Sequence, residues 1–138
     1  MQLQMTTEYA IRILGFLFVH KRIVQVTEIS NALNISPTYM QKVLGKLVRS
    51  GVIASAQGRY GGYYFLKSAE EISLYDVIEL MENEIALLAC LSHEASCSQE
   101  ITDCPLQDVF RKAQEELIRQ FQNVKISKMW TKSDFSDP

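Results

Sequence analysis

The sequence predicts a mainly α (α+β) fold: a small helical head carrying a β hairpin, followed by one long helix. Three observations carry that prediction. Apolar residues recur at helical spacing through residues 5–20, 27–33 and 37–50; a glycine-rich turn separates two short strand-like runs near 52–66; and a continuous apolar stripe occupies 105–124. At 138 residues the chain can bury one compact core, or a small head with a helical extension.

The first helix is read from Met5 to His20. Thr6 or Thr7 can cap it, Glu8 favours its positive end, and Tyr9, Ile13, Phe16 and Leu17 form its apolar stripe. Thr27 opens a second helix with Ile29, Ala32 and Leu33 inward, and Asn34-Ile35-Ser36-Pro37 breaks it. Ser36 is a natural N-cap with Pro37 at the first helical position, so a third helix runs to Ser50 and ends at Gly51. Met40, Val43, Leu44, Leu47 and Val48 share one face of it; Thr38, Tyr39, Gln41, Lys42, Lys46 and Arg49 point outward. Two helices joined by so short a turn, the second with a polar cationic face, can place that second helix in a DNA major groove.

Residues 52–56 and 63–66 read as paired strands around Gln57-Gly58-Arg59-Tyr60-Gly61-Gly62. A narrow hairpin with one arginine at its tip suits the minor groove, where negative potential concentrates. Directly after a helix-turn-helix, such a hairpin reads as a wing. Leu74 to Met81 forms a further helix capped by Ser73, residues 90–104 an irregular polar segment, and Pro105 starts the long helix. Its stripe of Leu106, Val109, Phe110, Ala113, Leu117, Phe121 and Val124 belongs either to the internal core or to a pairing surface in a dimer. Residues 125–130 add a turn of helix, and 131–138 read as a frayed tail.

Charge divides where the motifs do. Residues 1–68 hold eight Lys/Arg against Glu8 and Glu28, a net +6; residues 69–138 hold six against fourteen Asp/Glu, a net −8. A basic front half is the footprint of a polyanion binder, and an acidic back half faces away from phosphates. We therefore expect two units, a DNA-binding head over 1–68 and a sensing and dimerising part over 69–138. No apolar run is long enough to span a bilayer and no leader pattern is evident, so the expected setting is cytoplasmic, without a membrane partner.

Enzymatic readings find little support. Cys104 and His93 could be imagined as a nucleophile and its base, but their acidic neighbourhood opposes thiolate formation, and no phosphate loop, zinc-protease or dinucleotide motif is present. A winged module that binds protein instead of DNA is the other rival; the basic head argues against it, and a steep salt dependence of duplex binding discriminates.

The sequence resembles the Rrf2 family of bacterial winged helix-turn-helix regulators over residues 1 to about 130. The carriers are Met5-Thr6-Thr7-Glu8-Tyr9-Ala10, the stretch from Ile35 to Leu44, the wing Gly58-Arg59-Tyr60-Gly61-Gly62-Tyr63, the stretch from Ile72 to Glu79, and three cysteines before the long helix. The resemblance implies a homodimer joined through the long helix and bound to a roughly palindromic double-stranded operator, usually as a repressor. It implies phosphate and base contacts from Ser36, Thr38, Tyr39, Gln41 and Lys42, with Arg59 in the minor groove.

The cysteines are Cys90, Cys97 and Cys104, with six residues in each gap. On a continuous helix neighbours would lie about 10 Å apart, too far to share a metal centre, whereas a loop can gather them. Cys104 precedes Pro105, at a helix N-terminus that favours thiolate. The open spacing suits an iron–sulfur cluster (2Fe–2S or 4Fe–4S) better than zinc. Cluster-binding members of the family usually have five residues in each gap, so this chain departs from their pattern. An IscR-like fourth ligand would be a histidine three residues after the last cysteine, where this chain has Gln107; the NsrR-like carboxylate of helix one corresponds to Glu8 from the other subunit, and His93 is a local alternative. The resemblance thus implies an NsrR-like site of Cys90, Cys97, Cys104 and Glu8, sensing redox state, nitric oxide or cluster status. The alternative is a metal-free member controlled by thiol oxidation or a partner protein.

Overall fold

The computed structural model describes residues 2–66, 69–93 and 104–135. Helices α1 (Met5–His20), α2 (Val26–Leu33) and α3 (Pro37–Arg49) are followed by strands β1 (Ile53–Ala56) and β2 (Gly62–Phe65). Then come α4 (Leu74–Glu82), α5 (Pro105–Gln122) and the single-turn α6 (Ile126–Met129), with short 3-10 turns at Ala69–Glu71, Ala89–Leu91 and Lys132–Phe135.

Helix α1 is the central post. Its Ile13, Leu14 and Leu17 are buried with Met40, Val43, Leu44 and Leu47 of α3, Val77 and Met81 of α4, and Ile126 of α6. Burying each such side chain fully contributes about 1.5–3 kcal/mol, which makes this shared core the main source of stability. The core is continuous across residue 68, because these α4 and α6 side chains pack in one cluster with α1 and α3. At the start of α4 the Leu74 amide donates to the Val124 carbonyl at 2.7 Å, and the Ile126 amide to the Ile72 carbonyl at 3.0 Å. Gly15 leaves a flat place on α1, and the Trp130 indole occupies it; a Cβ there would lie 2.4 Å from the ring.

Several expected local features take a different form. Thr6 and Thr7 do not cap α1; the cap position is Gln4, and both threonines are buried inside the first turn. The Thr7 hydroxyl instead donates to Glu82 Oε1 at 2.7 Å, and the Gln4 amide donates to the same oxygen at 2.7 Å. Helix α2 starts at Val26, one residue before the expected Thr27, and Ala32 is exposed, not inward. Ser36 does hold the N-cap of α3 with Pro37 behind it, although its hydroxyl makes no capping bond. Ser73 caps α4 through a reciprocal box: the Asp76 amide donates to Ser73 Oγ at 3.1 Å and the Ser73 amide to Asp76 Oδ2 at 2.9 Å. The expected frayed tail is docked as far as Phe135, whose ring meets Phe16 edge-to-face at 5.5 Å and lies 5.1 Å from Trp130.

The hairpin is antiparallel, Ile53 opposite Phe65 and Ala56 opposite Gly62. It is fastened to the head by a two-way bridge between Val24 and Tyr63, each amide donating to the other's carbonyl at 2.8 Å. Gly62 makes that approach possible: its φ is +152°, and a Cβ on it would sit 2.3 Å from the Val24 carbonyl oxygen.

Candidate nucleic-acid interface and cysteine segment

The burial of Met40, Val43, Leu44 and Leu47 fixes the rotation of α3 about its axis. Ser36, Thr38, Tyr39, Gln41 and Lys42 consequently face solvent along its first two turns. Tyr39 is steadied by an edge-to-face contact with Tyr9 of α1 at 5.6 Å. Lys46, expected outward, is half-buried, and its ammonium donates to the Met81 carbonyl at the end of α4 (3.3 Å), so it braces the helix instead of meeting a ligand. Gly45 and Arg49 continue the outer face; Gly45 has no side chain to keep the Arg49 guanidinium away, and a Cβ there would lie 3.3 Å from Nη1.

At the wing tip, Gly58 (φ +100°) and the Gly61 amide, which donates to the Gly58 carbonyl at 3.0 Å, close a turn with Arg59 and Tyr60 at its corners. Both corner residues are exposed, and the Arg59 guanidinium lies 5.8 Å from the Tyr60 ring centre. Between the wing and the start of α2 is a cleft of about 410 Å³ bordered by Gln25, Thr27, Gln57 and Arg59. The sequence reading names Tyr60 only as a residue of the wing turn and does not reach the cleft. The hairpin glycines already marked residue 60 as a corner, whereas the cleft depends on how the wing docks against α2.

Of the four expected cluster ligands, Cys97 lies outside the described residues. Glu8 is exposed on the first turn of α1, Cys90 sits in the 3-10 turn Ala89–Leu91, and Cys104 is the residue before α5; both described cysteines are free thiols and half-exposed. Among the described residues no three His, Cys, Asp or Glu side chains come together as a metal site. The turn carrying Cys90 is well anchored. Glu84 accepts from the Ser92 hydroxyl and from the His93 amide (3.0 Å), and these bonds, the hydroxyl's first, hold its carboxyl below the ordinary value of 4.5. The Leu87 amide donates to Gln114 Oε1 at 2.9 Å, tying the same stretch to α5.

Helix α5 has an amphipathic sequence but no buried residue; Leu106, Val109 and Phe110 are exposed, Val109 to 63%. No helix among the described residues is long and apolar enough to cross a membrane.

Comparison with known proteins agrees with this architecture. The Rrf2 family model, whose description is "Iron-dependent Transcriptional regulator", matches residues 3–132. The chain is 28% identical over 136 residues to the HTH-type transcriptional regulator NsrR of Halalkalibacterium halodurans, covering 97% of this chain and 93% of that protein. It is 30% identical over 115 residues to NsrR of Oceanobacillus iheyensis, covering 82% and 78%. The structure of CymR, the global cysteine regulator of B. subtilis, superposes with a TM-score of 0.80 over 99% of both chains at 16% identity, a likeness of fold. These relatives are regulators and not enzymes, and with its helix-turn-helix, wing and long helix the chain belongs to the Rrf2 family of DNA-binding transcriptional regulators.

Proposed function

We propose that the protein is a homodimeric, sequence-specific repressor that reads a roughly palindromic operator with residues 1–68 and senses its signal through residues 69–138. One observation carries the DNA-reading part: the buried face of α3 leaves Ser36, Thr38, Tyr39, Gln41 and Lys42 on a single solvent-facing surface of a basic head, with Arg59 at the wing tip. The hydroxyl and amide groups suit phosphates and base edges, Lys42 suits a phosphate, and Arg59 suits the minor groove. Pairing through α5 is supported by its unburied Leu106, Val109 and Phe110, which a second copy of the helix would cover.

For the sensor, three thiols and a carboxylate are the donor types an iron–sulfur centre takes, and a pre-fixed turn at Cys90 and a helix N-terminus at Cys104 suit thiolate ligation. In this reading Cys90, Cys97 and Cys104 of one protomer and Glu8 of the partner subunit hold the centre, which supplies reactivity toward oxidants or nitric oxide when bound. Glu8 follows Thr7, and Thr7 is tied through Glu82 to α4, whose last turn also receives Lys46 of α3. A pull on Glu8 therefore has a bonded route to the reading helix. A metal-free thiol switch is the second reading, favoured by the half-exposed free thiols of Cys90 and Cys104.

The test is duplex binding at graded salt together with anaerobic absorption and iron analysis. The proposal expects a steep salt slope, dimer stoichiometry, and a visible chromophore diminished by Glu8→Ala. Arg59→Ala should weaken operator binding by about 1–3 kcal/mol. Protein that stays colourless and iron-free after anaerobic reconstitution leaves the thiol switch, and salt-independent binding refutes the DNA interface.

A further inference from the structure

Tyr60 is 82% exposed, while its neighbours Tyr63 and Tyr64 are half-buried in the hairpin. Its ring adds nothing to the core, and it occupies a corner of the turn that closes the wing. The base of the wing is stiff. A Cβ on Gly61 would lie 2.2 Å from the Ala56 carbonyl oxygen, one on Gly62 2.3 Å from that of Val24, and Tyr63 is bonded both ways to Val24. A large ring is thus presented to water at the point where the wing would meet DNA, beside a guanidinium 5.8 Å from its centre.

We infer that Tyr60 is a minor-groove wedge: with Arg59 drawn into the groove, the ring presses between neighbouring base pairs and bends the duplex. This rests on the DNA reading proposed above. The minor groove separates A·T from G·C and little else, so a wing can add specificity mainly through how readily a step deforms. Apolar side chains inserted from that groove unstack a step and kink the helix toward the major groove, where α3 would lie. Pyrimidine–purine steps yield most easily, so Tyr60 would select such a step at the wing position. The cleft between wing and α2 is bordered by the uncharged polar Gln25, Thr27 and Gln57 with Arg59 as its cation, a lining suited to the sugar–phosphate strand beside the opened groove.

The experiment uses a duplex enriched by the wild-type protein from a randomised pool and labelled at both ends for energy transfer. Wild type should bend it and should enrich a pyrimidine–purine step on each side of the centre. Tyr60→Ala should lose about tenfold in affinity for this duplex, together with the bend and the step preference, and lose less on an unselected duplex. Tyr60→Leu should keep most of the bend, because leucine can wedge but cannot hold the guanidinium through a ring. A Tyr60→Ala variant that bends and selects like wild type overturns the wedge and leaves DNA binding intact. Tyr60→Leu failing alongside Tyr60→Ala also overturns it, since the ring would then serve only to hold Arg59. If wild type enriches no duplex at all, the DNA-binding reading falls and the wedge with it.

Discussion

Replacing Gly62 with alanine tests how the wing is attached to the head. The new Cβ would lie 2.3 Å from the Val24 oxygen, 2.7 Å from its carbonyl carbon and 3.0 Å from the Gln25 nitrogen, all backbone atoms that cannot rotate aside. Relief requires separating Val24 from Tyr63 and losing both 2.8 Å hydrogen bonds, about 1 kcal/mol each. A φ of +152° is also a glycine conformation, with strain of about 2 kcal/mol for alanine. The expected loss is about 4 kcal/mol, or roughly 15 °C in Tm for a chain of this size. Gly58→Ala is the control, because its φ of +100° carries the strain while nothing lies within 4 Å of the added carbon. It should cost about 2 kcal/mol, roughly half the Tm shift. Thermal unfolding by circular dichroism gives the two shifts, and amide exchange shows whether Val24 and Tyr63 lose protection. Equal shifts for the two variants, with Tyr63 still protected, would refute the account of the wing's docking.

Three more predictions address the head's bracing and the cysteine turn. Gly15→Ala should push the chain's single tryptophan, Trp130, off α1, shift its fluorescence emission and cost about 1–3 kcal/mol; an unchanged spectrum refutes the packing. Glu82→Ala leaves the buried Thr7 hydroxyl and the Gln4 amide without their acceptor, so urea unfolding should show a loss of about 1–3 kcal/mol, which Thr7→Val made in the same background should partly restore. The Glu84 carboxyl is held below its ordinary 4.5 in the folded chain, so its stabilisation of the Cys90 turn is present above that value and is lost as pH falls through the lower folded one. A carbon-13 titration of the Glu84 carboxylate should show that depressed midpoint, and one at or above 4.5 contradicts the anchoring role.

Elements whose causes are local were legible in the sequence. Pro37 behind Ser36, the 3.6-residue periodicity of α3, the wing glycines and the Ser73 cap each act within a few residues, and each appears where expected. Features set by partners distant in the chain were not. Thr7 reads as a cap until Glu82, 75 residues away, takes its hydroxyl. Lys46 reads as a surface cation until the Met81 carbonyl, 35 residues on, accepts from it. The tail reads as frayed because Phe16, far back in the chain, provides the seat for Phe135 together with Trp130. The proposed role of Tyr60 has no charge to announce it, and residues chosen for electrostatic fit pass over a neutral ring.

The core that α1 shares with Ile72, Val77, Met81 and Ile126 bears on how such a regulator can diversify. A graft that exchanged everything after residue 68 for the corresponding part of a relative would cut through packed side chains and the Thr7–Glu82 and Lys46–Met81 bonds. New input specificity is therefore more accessible by substitutions that leave those contacts in place than by wholesale recombination. The shared core should make α1, α3, α4 and α6 melt as one cooperative body, so a ligand that steadies one of them would raise the unfolding temperature of all four.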